Sequence, residues 1–168
     1  WEVFAAAPDD QWKIPPALSR QGGEEIVTGW DGPKVPRVRR DFVSAADCPP
    51  EFRDVAWGAD RTAIVYELRT EPGGEWHFAA GFAEGEHTDA GCRVMEVSCD
   101  GTAPIRVDPA GAFGPQRPGI VFLKACDTDN DGVVRLRVRA CPDSPDPNAF
   151  LGGVWAFRGL PPSADEFL

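Results

Sequence analysis

Apolar and polar residues alternate along much of the chain from Thr62 onward, which is the pattern of a half-buried β-strand. The clearest case spans residues 134–140, where apolar residues alternate with arginines. One face of this strand should enter the core and the other should be cationic. Similar alternation over residues 62–69, 76–82 and 93–99 predicts three more strands of this kind.

Other segments give weaker or different strand patterns. Residues 120–125 are apolar at nearly every position, which is typical of a central strand covered on both faces. We expect further strands over residues 24–30 and 151–157, and a short first strand from Val3 to Ala7. Residues 33–61 are rich in Pro, Arg and Asp and predict a long connection.

Composition agrees with strands joined by turns. The 168 residues include 18 Gly and 17 Pro, and no window has a sustained helical period. This length suits one domain. About eight short strands with long loops predict an all-β fold, an antiparallel β-sandwich or jelly roll.

The net charge argues against nucleic acid as a partner. The formal net charge is −10, and an acidic surface repels nucleic acid. No apolar run approaches the roughly 18 residues of a membrane span. The chain begins with Trp1 rather than Met, so we expect a processed protein or a module of a longer one. We therefore predict neither nucleic-acid binding nor a membrane span.

The cysteines suggest a secreted protein. No pair has the Cys-x-x-Cys spacing, and only His77 and His87 could join them as zinc ligands, so a zinc site is not expected. We expect one or two disulfides, with five reduced and buried cysteines as the alternative. The five are Cys48, Cys92, Cys99, Cys126 and Cys141.

Two motifs between residues 82 and 101 resemble those of malectin-like carbohydrate-binding domains. The first is Phe82-Ala83-Glu84, at the end of an aromatic strand. The second is Gly91-Cys92-Arg93-Val94, followed by a strand that closes on Asp100-Gly101. The resemblance implies a jelly-roll sandwich related to galactose-binding-like modules, whose loops at one end bind glucose-type oligosaccharides. It predicts one extracellular domain over 1–168, with N-terminal strands and extended loops over 1–60 and the core of the resemblance over 61–158.

Aromatic residues beside planar polar groups are the candidate sugar contacts, because sugars offer an apolar face and a rim of hydroxyls. The alternative is that most of the six Trp fill the core, as we expect for Trp76 and Trp155. A sugar site would need the loop aromatics to converge on one exposed patch. The candidate residues are Trp30, Asp31, Trp57, Asp60, Arg61 and Phe113.

The acidic run from Asp127 to Gly132 is a candidate calcium loop. Asp127, Asp129 and Asp131 alternate and could surround one Ca²⁺ with oxygen ligands. An EF-hand would need Glu at the twelfth position, which is Val138, so a bound ion would be structural. The alternative is an acidic hairpin turn.

No nucleophile motif or carboxylate pair stands out, so we predict that the chain is not an enzyme. The stripe formed by Arg135, Arg137 and Arg139 could bind an anionic glycan or acidic partner, or could be ion-paired to neighbouring acids. We predict a non-catalytic carbohydrate-binding module. The alternative is a structural or assembly domain that binds protein partners.

Overall fold

The computed structural model describes residues 25–28, 37–39, 52 and 54–158. Within these residues the chain forms eleven strands and one short helix. The predicted strand from Val3 to Ala7 lies outside them. The strands are β1 (Glu25–Thr28), β2 (Arg37–Arg39), β3 (Asp54–Gly58), β4 (Ala63–Arg69), β5 (Glu75–Ala83), β6 (Met95–Cys99), β7 (Ile105–Val107), β8 (Pro118–Cys126), β9 (Val133–Ala140), β10 (Ala149–Leu151) and β11 (Gly153–Phe157), with helix α1 (Pro109–Phe113).

The strands make three sheets. A five-stranded sheet has the order β1-β4-β9-β6-β7, and two three-stranded sheets have the orders β10-β3-β2 and β11-β5-β8. The pairs are antiparallel except β1 with β4, which is parallel. The expected all-β sandwich is confirmed.

The main core contains side chains from all three sheets. Tyr66 of β4 meets Phe78 of β5 edge-on, with ring centroids 5.7 Å apart. Phe82 of β5 meets Phe150 of β10 in the same way at 6.0 Å. The predicted core position of Trp76 is confirmed, since it is buried in this cluster.

A second apolar cluster contains Ala79 and Ala83 of β5, Trp155 and Phe157 of β11, and Phe52. Alternation along a strand places these β5 and β11 residues on the opposite face from Phe78. Trp155 is buried, as the sequence predicts.

Four strand predictions need correction. β4 is buried on both faces rather than half-buried, because its Glu67 is covered and ion-paired. β8 is not a central strand among the described strands: it pairs only with β5, and residues 120–122 are half-buried. The predicted strand over 151–157 is two strands, β10 and β11, divided at Gly152. The connection predicted over 33–61 contains β2 and β3, which pair with each other.

The arginine stripe on β9 is ion-paired, so that interpretation is confirmed. Arg135 is 9% exposed and bonds to three carboxylates. Arg137 pairs with Asp100, and Arg139 with Glu96 at 2.7 Å. The acids around Arg135 are Glu67, Asp100 and Asp131.

Cys92, Cys99, Cys126 and Cys141 are free thiols, so the predicted disulfides are not found among these four. Cys48 lies outside the described residues. Burial raises the pKa of the Cys99 and Cys141 thiols, which keeps both protonated near neutral pH.

The connections gather at two ends of the sandwich, which differ in length. The Arg93 end comprises the turn 59–62 and the loops 84–94, 108–117 and 141–148. The Asp127 end comprises the shorter turns 70–74, 100–104 and 127–132.

Candidate functional site

A buried guanidinium lies at the centre of the Arg93 end. The Arg93 side chain is 1% exposed, and its Nη1 donates to both oxygens of Glu84 at 2.9 Å. Its Nε and Nη2 donate to Oδ2 of Asp146, and Nη2 also donates to Glu86. One side chain therefore joins two loops that are more than fifty residues apart in sequence.

The same guanidinium stacks on two aromatic rings. Its Cζ lies 5.0 Å from the Trp57 ring centroid and 5.3 Å from that of Phe150, within the range of cation–π contacts. Trp57 is half-buried and packs against the main core. Part of its apolar surface is thus already used inside the protein.

The carboxylates around Arg93 have further donors. Oε1 of Glu84 accepts the backbone N–H groups of Glu86 and His87. Asp146 accepts His87 Nε2 at 2.7 Å through Oδ2, and Asn148 through Oδ1. Burial raises the pKa of Asp146, but the bonds from His87 and Asn148 and the charge of Arg93 outweigh it and lower the pKa below its usual range.

The turn that joins β3 to β4 has a strained backbone. Asp60 and Arg61 have φ angles of 50° and 65°, which non-glycine residues seldom adopt. The N–H of Thr62 donates to the Ala59 carbonyl, and two central residues with positive φ define a type I′ turn. Such strain persists only where neighbouring groups hold it.

Loop 141–148 holds this turn. The Arg61 guanidinium donates to the carbonyls of Cys141 and Ser144, and the Arg61 N–H donates to the Pro147 carbonyl at 2.7 Å. The N–H of Asp60 donates to Oδ1 of Asn148 at 3.1 Å. Asp60 and Arg61 are nevertheless exposed residues, so they also face solvent.

Phe113 is at the same end but packs inward. It ends α1, whose N-cap Asp108 accepts the Gly111 N–H. A Cβ on Gly119 would lie 2.1 Å from the Phe113 ring, so the ring rests directly on the backbone of β8. One face of Phe113 is therefore covered by the protein.

The sequence candidates are only partly brought together. Trp57 is near the end of β3, Asp60 and Arg61 are in the turn that follows it, and Phe113 ends α1 in another connection of the same end. Trp30 and Asp31 lie outside the described residues.

Sequence reasoning missed the Arg93 cluster. Glu84 ends the first motif of the malectin-like resemblance and Arg93 lies within the second, so the two motifs were a usable signal for pairing these residues. Nothing in the local sequence distinguishes Glu86, His87 or Asp146 from surface residues. These three bring possible metal-ligand atoms within 4.8 Å of one another, but Arg93 already donates to both of their carboxylates.

The candidate calcium loop lies at the Asp127 end. Asp127 is 2% exposed and accepts the backbone N–H groups of Gly73, Asp131 and Gly132. Burial raises its pKa, but these N–H groups outweigh burial and lower the pKa below the ordinary value of 3.8. One carboxylate thus ties the 70–74 turn to the 127–132 turn.

The residues fit a calcium ion poorly. Oδ1 of Asp131 accepts the Val133 N–H and its Oδ2 accepts Arg135, while Oδ1 of Asp129 accepts the Asp131 N–H. A Ca²⁺ ion would have to displace these donors and tolerate a guanidinium close by. These hydrogen bonds within the turn are typical of an acidic hairpin turn. Calcium binding stays a prediction.

Three solved structures show what the fold is similar to. The ANX2 ectodomain from Arabidopsis thaliana matches with a TM-score of 0.58 at 10% identity, covering 77% of this chain and 42% of that chain. The plant receptor-like kinase FER matches at 0.54 and 13%, covering 66% and 33%. FER in complex with the plant peptide RALF23 and LLG2 matches at 0.56 and 13%, covering 64% and 32%.

These neighbours are malectin-like extracellular domains, so the resemblance in the two motifs is confirmed as a likeness of fold. This chain spans less than half the length of the ectodomains that it matches. No family model matches the sequence, and no curated protein matches it. Within the described residues, no helix has the length and apolar character needed to cross a membrane.

Proposed function

We propose that this chain is a non-catalytic, extracellular carbohydrate-binding domain, and that the Arg93 end binds a glucose-type oligosaccharide. One observation carries the proposal: the strained turn presents exposed Asp60 and Arg61 at the end of the strand that carries half-exposed Trp57, three residues earlier in the chain. An indole edge next to planar polar groups suits the apolar face and the hydroxyls of a sugar ring.

Further polar groups widen the surface. Glu86 has a side chain 47% exposed, and His87 one that is 31% exposed. Carboxylate and imidazole groups can accept hydrogen bonds from sugar hydroxyls. Because each contact is modest, we expect weak individual binding.

The test is affinity electrophoresis in gels that contain soluble glucans. Asp60→Asn is the sharpest variant, because Asn tolerates the positive φ at this position and so leaves the turn intact. We expect the affinity obtained from the retardation to fall at least about tenfold, since a hydrogen bond to a charged group contributes about 1.5–3 kcal/mol. Trp57→Phe should weaken binding less, since an aromatic ring remains.

Glu71→Gln is the matched control, because Glu71 is exposed at the Asp127 end. It should bind as the wild type does. If wild-type protein migrates identically with and without every glucan tested, the carbohydrate proposal is wrong.

A protein-binding function is the second candidate. Two observations favour it: Trp57 and Phe113 each have a face packed against the protein, and a structural neighbour is in complex with a peptide and a second protein. In this case the same loops would bind a polypeptide. Retention of a partner by wild-type protein and its loss in Asp60→Asn, with no glucan binding, would support this function over the first.

A further inference from the structure

We propose that Arg93 is the positioning residue of the binding end: it sets the relative placement of the loops that contact the ligand without contacting the ligand itself. This inference rests on the proposed function for its affinity readout. The Arg93 side chain is 1% exposed, which leaves it no surface to offer a ligand.

Arg93 is the shared partner of three separate segments. It stacks on Trp57 from β3, bonds to Glu84 and Glu86 at the start of loop 84–94, and bonds to Asp146 in loop 141–148. The three nitrogens of the guanidinium donate hydrogen bonds within its plane, and its face stacks on the Trp57 ring. A lysine would keep the charge but not this geometry.

A chain of hydrogen bonds continues from Arg93 to the exposed turn. Arg93 holds Oδ2 of Asp146, while Oδ1 of Asp146 accepts Asn148 Nδ2 at 2.8 Å. Oδ1 of Asn148 then accepts the N–H of Asp60 at 3.1 Å. The position of the proposed ligand contact therefore depends on the buried guanidinium through two intervening side chains.

The experiment compares Arg93→Lys with Arg135→Lys. Arg135 is also buried and bonded to three carboxylates, but its partners Asp100 and Asp131 lie at the Asp127 end. Both variants should lower Tm. Glucan affinity is measured at a temperature where both variants are fully folded.

We expect Arg93→Lys to weaken glucan binding at least about tenfold, which corresponds to about 1.4 kcal/mol, and Arg135→Lys to leave it unchanged. Equal losses in the two variants would mean that the effect is general stability, and would overturn the proposal. Unchanged affinity in Arg93→Lys would overturn it as well.

Amide hydrogen exchange tests the inference without any ligand. The N–H groups of Asp60, Glu86 and Asn148 should exchange at least about tenfold faster in Arg93→Lys and as in the wild type in Arg135→Lys. If wild-type protein binds no glucan, the proposed function fails, while these exchange rates still decide whether Arg93 orders the loops. Wild-type exchange at all three amides in Arg93→Lys would contradict the positioning role.

Discussion

The two ends of the sandwich bury charge in opposite ways. At the Arg93 end a guanidinium is surrounded by the carboxylates of Glu84, Glu86 and Asp146. At the Asp127 end a carboxylate is surrounded by backbone N–H groups. The first arrangement joins long loops through side chains. The second joins short turns through backbone N–H groups, and there Arg135 adds a side-chain link between Asp100 and Asp131.

The difference follows from loop length. A turn of five or six residues brings its own N–H groups together, so one acceptor can satisfy several of them. In the loops of eight to eleven residues, Glu84 and Asp108 also accept backbone N–H groups, but only the long Arg93 side chain, with five N–H donors, joins Glu84 to Asp146 in loop 141–148. The end held by side chains is the one that can vary its surface, which suits a binding role.

We expect the largest loss of stability from removing the Arg93 guanidinium. Arg93→Met should lower the free energy of unfolding by about 3–5 kcal/mol, because Glu84 and Asp146 would be left buried without their cation. The urea midpoint measures it. Arg139→Met is the control, since Arg139 is 54% exposed and its pair with Glu96 should contribute less than about 1 kcal/mol. Similar losses in both variants would show that burial does not set the strength of these pairs.

We expect a smaller loss of stability from a substitution at the Asp127 end. Asp127→Asn should lower the unfolding midpoint less than Arg93→Met and more than Asp129→Asn, whose side chain is at the exposed surface of the same turn. Asp127 has a lowered pKa in the folded state, so its contribution is present above 3.8 and is lost as pH falls below that value. The gap between wild type and Asp127→Asn should therefore close in acid. A gap that persists there would mean that the charge of Asp127 is not the cause.

A packing change at the Arg93 end should have a more modest effect. Gly119→Ala places a methyl group against the Phe113 ring and should cost about 1–3 kcal/mol, because it meets the ring atoms nearest the Phe113 backbone and the whole side chain must move. Thermal unfolding measures the loss. Combining it with Phe113→Ala should remove the clash, so the two changes together should cost less than the sum of the single changes. Additive losses would mean that Phe113 does not press on β8.

The smallest expected effect is that of calcium at the Asp127 end. Excess chelator and excess Ca²⁺ should both leave Tm unchanged, because the oxygens of Asp127 and Asp131 already accept N–H groups and Arg135. An ion bound only by the folded state must raise Tm. A rise with Ca²⁺ that is abolished in Asp129→Asn would support the prediction of a calcium loop.

Strand alternation predicted most of the described sandwich, and the errors have local causes. Residues 120–125 are apolar except for Lys124, but this pattern does not say how many strands lie beside them. β8 has one partner among the described strands. The break at Gly152 was invisible because the flanking residues are all apolar. Its N–H donates to the Gly81 carbonyl, which is a tertiary contact.

The candidate site was harder to predict than the fold. Trp57, Asp60 and Arg61 were identified because they are adjacent in sequence. Asp146 could not be, because its importance comes from Arg93, fifty-three residues earlier. Composition also gave no sign that two arginines among the 17 basic residues, Arg93 and Arg135, are buried.

The break at Gly152 has a mechanical consequence. The chain leaves one three-stranded sheet at Leu151 and enters the other at Gly153, with a single residue between them. A one-residue link is too short to let the sheets slide past each other, so a displacement of β11 must pull on β10. Phe150 on β10 lies against Arg93, which means that tension on β11 would reach the guanidinium along an almost extended strand. The single residue Gly152 therefore couples the two small sheets, and its N–H bond to the Gly81 carbonyl ties the link to β5.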